Sequence, residues 1–317
     1  MADSENPWRG RIDSEDGEAG RRWHQVVQHA ASTAPGIALL GLASDLGVRR
    51  NRGRPGASEG PAALRQALAN FAWHHDRPLH DAGDIVVADD LEAGQAAYAE
   101  RVAALLAAGH FVIGLGGGHE IAWGSFQGCR RFLDRDPADR RLGILNFDAH
   151  FDLRQPAPLS SSGTPFYQVA RHCEERGQTF HYCCLGVART ANTPALYQRA
   201  DTLEVSYQED LDCHGERALP LLERFLAGID YLYVTVCLDV FPAAYAPGVS
   251  APAALGVNPA WLLRTLSSVA ELARQFKVHW LMTDIAELSP PHDPDGRTAR
   301  LGARVIDSCL AATFADR

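Results

Sequence analysis

The chain has 317 residues, a formal net charge of −9, a pI of about 5.8 and 46% hydrophobic residues. That charge argues against nucleic acid or an anionic membrane surface as the main partner, and no apolar run reaches the roughly 20 residues that span a bilayer. Seven scattered cysteines, odd in number and without a Cys-x-x-Cys pair, and no charged-then-apolar leader lead us to expect a reducing, cytoplasmic setting and a small-molecule partner.

No repeat or low-complexity linker divides the chain after its first few dozen residues, so a single domain over residues 1–317 is expected. Residues 1–20 are polar and glycine-rich and Arg21–Ala31 reads as a short helix, so residues 1–30 either lie over the domain or form a mobile segment. Strands are predicted at Gly36–Leu42, Asp84–Val87, Phe111–Leu115, Leu142–Phe147, Phe180–Gly186, Tyr231–Leu238 and Lys277–Thr283. Helices lie between most of them: proline in the first turn starts Ala62–Phe71 and Ala260–Phe276, and Gly109 stops the alanine-rich run Leu91–Ala108. This alternation predicts an α/β fold with a parallel sheet and helices on both faces.

Three of the apolar strands stop at acids: Leu142–Phe147 runs into Asp148, Tyr231–Leu238 into Asp239, and Lys277–Thr283 into Asp284 and Glu287. Parallel sheets place functional groups at the carboxyl ends of strands, and an acid there is costly unless paired or bound to a cation. In an extended segment Asp148, His150 and Asp152 would share one face, as ligands to a metal must. Carboxylate with imidazole and no thiolate cluster suits a hard divalent ion such as Mn2+ better than structural zinc. Taken by itself, the same run also reads as a solvated turn with a chance histidine.

The run Gly114-Leu-Gly-Gly-Gly-His119 lacks the Gly-Lys-Ser/Thr ending of a phosphate loop, and His119 stands where a dinucleotide fingerprint needs glycine. A tight glycine turn would instead deliver His119 to the start of the next helix, on the same sheet edge as the acids. No Gly-x-Ser-x-Gly elbow occurs, and Ser160–Ser162 read as a polar loop rather than a nucleophile.

The motifs Gly116-Gly-Gly-His-Glu120, Asn146-Phe-Asp-Ala-His-Phe-Asp-Leu-Arg154, Ser161-Ser-Gly-Thr-Pro-Phe166, Cys237-Leu-Asp-Val-Phe-Pro and Asp284-Ile-Ala-Glu287 together resemble the arginase/agmatinase ureohydrolase family. Pro7-Trp-Arg-Gly-Arg-Ile-Asp13, Gly47-Val-Arg-Arg-Asn-Arg-Gly-Arg-Pro-Gly-Ala57 and Pro247-Gly-Val-Ser-Ala-Pro252 narrow it to the branch acting on N-formimidoyl-L-glutamate. The resemblance implies a three-layer α/β/α fold around a mostly parallel, roughly eight-stranded sheet and a homo-oligomer. It also implies two Mn2+ ions on His119, Asp148, His150, Asp152 and Asp239, with Cys237 in a sixth position where the family usually has aspartate.

The implied reaction, in histidine degradation, is attack of a metal-bridging hydroxide on the formimidoyl carbon, giving L-glutamate and formamide. Asp152 would then move the proton and Glu287 hold the amidinium. A histidine that arginases use to move protons is replaced by Phe166. Because the substrate carries two carboxylates, Arg154, Arg54, Arg50 and Arg189, with Asn192, are the candidate binding residues. Cleavage of a guanidine with release of urea, deamination of the same substrate, and a non-catalytic binding protein that lacks the second metal are the competing readings.

Overall fold

The computed structural model describes residues 6–29, 34–136, 138 and 140–315. Nine strands form one sheet: β1 (Val27–Gln28), β2 (Ile37–Ala43), β3 (Leu79–Val86), β4 (Phe111–Gly116), β5 (Leu142–Phe147), β6 (His181–Val187), β7 (Ser206–Glu209), β8 (Tyr231–Cys237) and β9 (His279–Ala286). Their order is β1-β3-β2-β4-β9-β8-β5-β6-β7, and every pairing is parallel. The helices are α1 (Trp23–Val26), α2 (Leu46–Arg50), α3 (Gly60–Ala69), α4 (Leu91–Ala107), α5 (Ile121–Leu133), α6 (Pro165–Glu175), α7 (Pro194–Thr202), α8 (Leu219–Ala227), α9 (Pro259–Phe276) and α10 (Arg297–Phe314).

The central strands are apolar throughout because both of their faces are covered. On one face Leu115, Phe147, Val236 and Ile285 pack with α3, α8, α9 and α10. On the other, Val112, Ile144, Tyr233 and Met282 pack with α4, α5, α6 and α7. Proline in the first turn opens α3, α6, α7, α8 and α9, where its missing N–H costs nothing, and Asn258 caps α9 through Ala260 N at 2.8 Å.

The two edges depart from the sequence reading. Instead of one helix over Arg21–Ala31, a single turn of α1 leads directly into β1, which pairs Val27 with Leu79; residues 30 and 31 lie outside the described residues. Trp8 and Trp23 are buried against the core, so residues 6–29 lie over the body. Strand β3 begins five residues earlier than expected because its polar start is held by an ion pair rather than by apolar packing. Buried Arg65 of α3 reaches Asp81 through Nε and Nη2, both at 2.9 Å, and Asp84 at 2.7 Å, while Trp8 Nε1 donates to Asp81 at 2.7 Å. The short edge strand β7 has no apolar run to announce it.

Register decides where the chemistry sits. Leu115, Ile285, Val236 and Phe147 form one continuous row across β4, β9, β8 and β5. The next residues upward are Gly116, Ala286, Cys237 and Asp148, so the four central strands end level and deliver their following loops to one place.

Candidate metal centre

The Asp148–Asp152 run is not strand. β5 stops at Phe147, and Asp152 takes a left-handed conformation at φ 49°, so the bend of the loop rather than alternation turns these side chains together. Asp239 likewise lies in a short turn, Leu238–Val240, beyond Cys237. Gly117 is required by close packing, not by a phosphate: a Cβ there would stand 1.9 Å from Ser44 O. The loop then places His119 just before α5.

His119 Nδ1 lies 2.9 Å from both Asp148 Oδ2 and Asp152 Oδ2, and His150 Nδ1 lies 3.2 Å from Asp239 Oδ2 and 3.4 Å from Asp148 Oδ1. Two groups result, each with donor atoms within 4.8 Å of one another: His119, Asp148 and Cys237, and Asp148, His150 and Asp239. Asp148 belongs to both. His119 Nδ1 and Asp239 Oδ1 are buried without a hydrogen bond despite these neighbours. Donors converging in a dry site need a proton or a cation between them, and nitrogen, carboxylate and one sulfur donor fit divalent ions at two adjacent positions.

The electrostatics agree. Burial opposes charge on the rings of His119 and His150, yet the adjacent carboxylates more than offset it and hold both above the usual imidazole range. Burial and then Asp148 push Asp152 up to about 6, and burial pushes Glu287 up to about 8. Burial likewise raises the Cys237 thiol, with Asp148, Asp239 and Glu287 adding to it. Crowded, desolvated acids of this kind mark a functional site.

A model of the arginase family matches residues 35–312. The chain belongs to the arginase family. Among curated relatives, a formimidoylglutamase of Aromatoleum aromaticum is 52% identical over 314 residues, covering 95% of this chain and 90% of that protein. One of Aeromonas salmonicida is 50% identical over 307 residues, covering 94% and 95% respectively. Among solved structures, Trypanosoma cruzi formiminoglutamase with two Mn2+ ions matches with a TM-score of 0.80 at 25% identity, over 94% of this chain and 99% of that one.

In this arginase-family chain a cavity of about 250 Å³ opens above the donors and is lined by His119, His150, Asp152, Cys237, Asp239 and Glu287. Glu287, at φ 73°, accepts from His119 N at 2.9 Å and from Ser250 Oγ. Arg154 lines the cavity, and neither its side chain nor that of Arg52 has a partner among the described residues. Arg52 was not anticipated; the one available signal was its place before Gly53 in a turn, where it adopts φ 62°.

The structure does not bring the other arginines to the cavity. Arg50 pairs with Glu92 at 2.7 Å, Arg54 donates to Pro247 O at 3.1 Å and to Val249 O, and Arg189 stays exposed. Asn192 reaches the lining, but its amide is spent on the backbone at Phe151 N (3.0 Å), Ala149 O (2.8 Å) and Ala188 O (2.9 Å). Phe166 is buried with its ring 5.4 Å from that of His119, an apolar wall that carries no proton.

Proposed function

We propose that this chain hydrolyses N-formimidoyl-L-glutamate to L-glutamate and formamide, a step of histidine degradation, with two Mn2+ ions as its cofactor. The observation that carries the reading is the pair of donor groups sharing Asp148 beneath a cavity that holds both Glu287 and an unpaired Arg154. The names of the relatives at about half identity and the Mn2+ in the solved neighbour support it. His119, Asp148, Asp152 and Cys237 would hold one ion, and Asp148, His150 and Asp239 the other.

Bound divalent ions supply a water acidic enough to ionise near neutral pH and positive charge where the tetrahedral centre forms. The residues do the rest. Glu287 orients the amidinium through a carboxylate fixed by His119 N and Ser250 Oγ, which presents the formimidoyl carbon to the donors. Asp152, on the cavity wall beside His119, takes a proton and passes it to the departing amine. Arg154 grips a carboxylate at the far end, which selects an anionic amino acid over agmatine.

One sheet carries all described strands, which supports a single domain, and the seven cysteines are all free and buried, which suits the reducing cytoplasm. Among the described residues no helix is long and apolar enough to cross a membrane. We extend the family expectation of a homo-oligomer to this chain. The test is an assay of the Mn2+-loaded protein on N-formimidoyl-L-glutamate, arginine and agmatine, with formamide, urea and ammonia measured separately. Formamide is expected; urea from a guanidine, or ammonia from the formimidoyl substrate, overturns the reading.

A further inference from the structure

Two residues below the donors along the strands, β8 and β9 bury polar groups that the reaction does not use. Asp284, with none of its surface exposed, accepts at Oδ2 from Tyr233 Oη and Ser125 Oγ, both at 2.5 Å. Its other oxygen, Oδ1, has no such bond. Thr235 is the register partner of Asp284, and burial raises the Asp284 pKa against the opposing pull of the Ser125, Thr235 and Tyr233 hydroxyls. That hydroxyl oxygen lies 3.0 Å from His119 Nε2.

The proton directions follow from the partners. His119 Nδ1 faces two carboxylate oxygens across 2.9 Å gaps, where a metal ligand needs its lone pair, so the ring proton belongs on Nε2. Nε2–H then donates to Thr235 Oγ1, which leaves the single Thr235 proton to turn to its register partner Asp284, a carboxyl already fixed by two other donors. A metal-binding histidine is commonly oriented through its second nitrogen in this way. The edge of Phe166 meets the ring from another side.

We propose that Thr235 and Asp284 are positioning residues that fix the tautomer and plane of His119, and so set the affinity of the ion His119 holds without affecting the ion on His150 and Asp239. The proposal rests on the reading of His119 as a ligand. It separates two substitutions that a packing role would not. Thr235→Val keeps shape and removes the hydroxyl, whereas Thr235→Ser keeps the hydroxyl. Asp284→Asn keeps its carbonyl under Tyr233 and Ser125 and turns an N–H2 toward Thr235. The Thr235 proton is thereby driven toward His119 Nε2, and the ring proton moves to Nδ1.

The experiment titrates Mn2+ alone into chelator-stripped full-length protein by equilibrium dialysis. Unmodified protein should bind two Mn2+; binding none would sink the metal reading itself, separately from this inference. Thr235→Val should weaken one site about 10–100-fold and leave the second unchanged, with Thr235→Ser near the parent. Asp284→Asn should weaken the same site and leave the second unchanged. Parent-like affinity at both sites in Thr235→Val, equal loss in the valine and serine variants, or parent-like affinity at both sites in Asp284→Asn would each overturn the proposal.

Discussion

Replacing Glu287 by Gln separates recognition from folding. The carboxylate sits 3% exposed, held by His119 N at Oε1 and Ser250 Oγ at Oε2. Glutamine keeps both contacts, because its oxygen can take the N–H and its amide can donate to the serine hydroxyl. What it loses is the charge that faces an amidinium. Two charge-assisted hydrogen bonds at about 1.5–3 kcal/mol each amount to about 10²–10⁴ in kcat/KM. Stability moves the other way. Burial raises Glu287 from 4.5 to about 8, on the order of 5 kcal/mol at about 1.36 kcal/mol per unit. A folded-state pKa above the unfolded one favours the protonated acid, so the native state carries no penalty below about pH 4. The penalty grows as pH rises and levels off above about 8. Metal-free Glu287→Gln should therefore melt like the parent near pH 4 and above it near pH 8, while the Mn2+-loaded variant is nearly inactive. Steady-state kinetics and pH-dependent calorimetry measure both arms. A variant with kcat/KM within threefold of the parent would refute the assignment of Glu287 to the amidinium.

Arg154→Ala should raise KM for N-formimidoyl-L-glutamate about tenfold or more with kcat little changed, and an unaltered KM would remove Arg154 from the carboxylate site. Arg65→Met strands Asp81 in the interior and should cost about 3–5 kcal/mol in denaturant unfolding. Burial works against the Asp81 charge, but Arg65 more than offsets it and lowers the pKa, so this contribution is complete above about pH 4 and lost as pH falls through the lowered value. The parent should lose stability on acidification more steeply than Arg65→Met does. Chelator-stripped protein should gain about 2.7 kcal/mol when Mn2+ is restored to a hundredfold excess over Kd, and equal melting with and without metal would argue against a built site. Cys237→Ala should retain the ion on His150 and Asp239 and bind the other weakly; two ions held at parent affinity would assign the thiol to packing.

The site was largely legible in the sequence because its residues come in short runs directly after apolar strands: His119 after β4, Asp148 to Asp152 after β5, Asp239 after β8, Glu287 after β9. The reason given for their convergence was not. Alternation along a strand was expected, whereas a left-handed Asp152 and a turn at Asp239 do the work, since residue spacing alone cannot tell an extended segment from a bent loop. Of the arginines, charge marked Arg50, Arg54 and Arg154 alike. Only tertiary structure separates an Arg50 occupied by Glu92 from an Arg154 left open to the cavity. The edges of the sheet escaped the sequence reading because β1 is two residues long and the start of β3 is held by Arg65 rather than by apolar periodicity.

The strand order has a consequence for biosynthesis. The last strands to leave the ribosome, β8 and β9, occupy the middle of the sheet and part β4 from β5. Until residue 286 is free, the nascent chain has two flanks and no centre, with His119 on one side of the gap and Asp148 on the other. Metal capture thus reports a finished polypeptide: a chain broken off before β9 lacks the seam that brings the donors together and retains only fragments of the cluster.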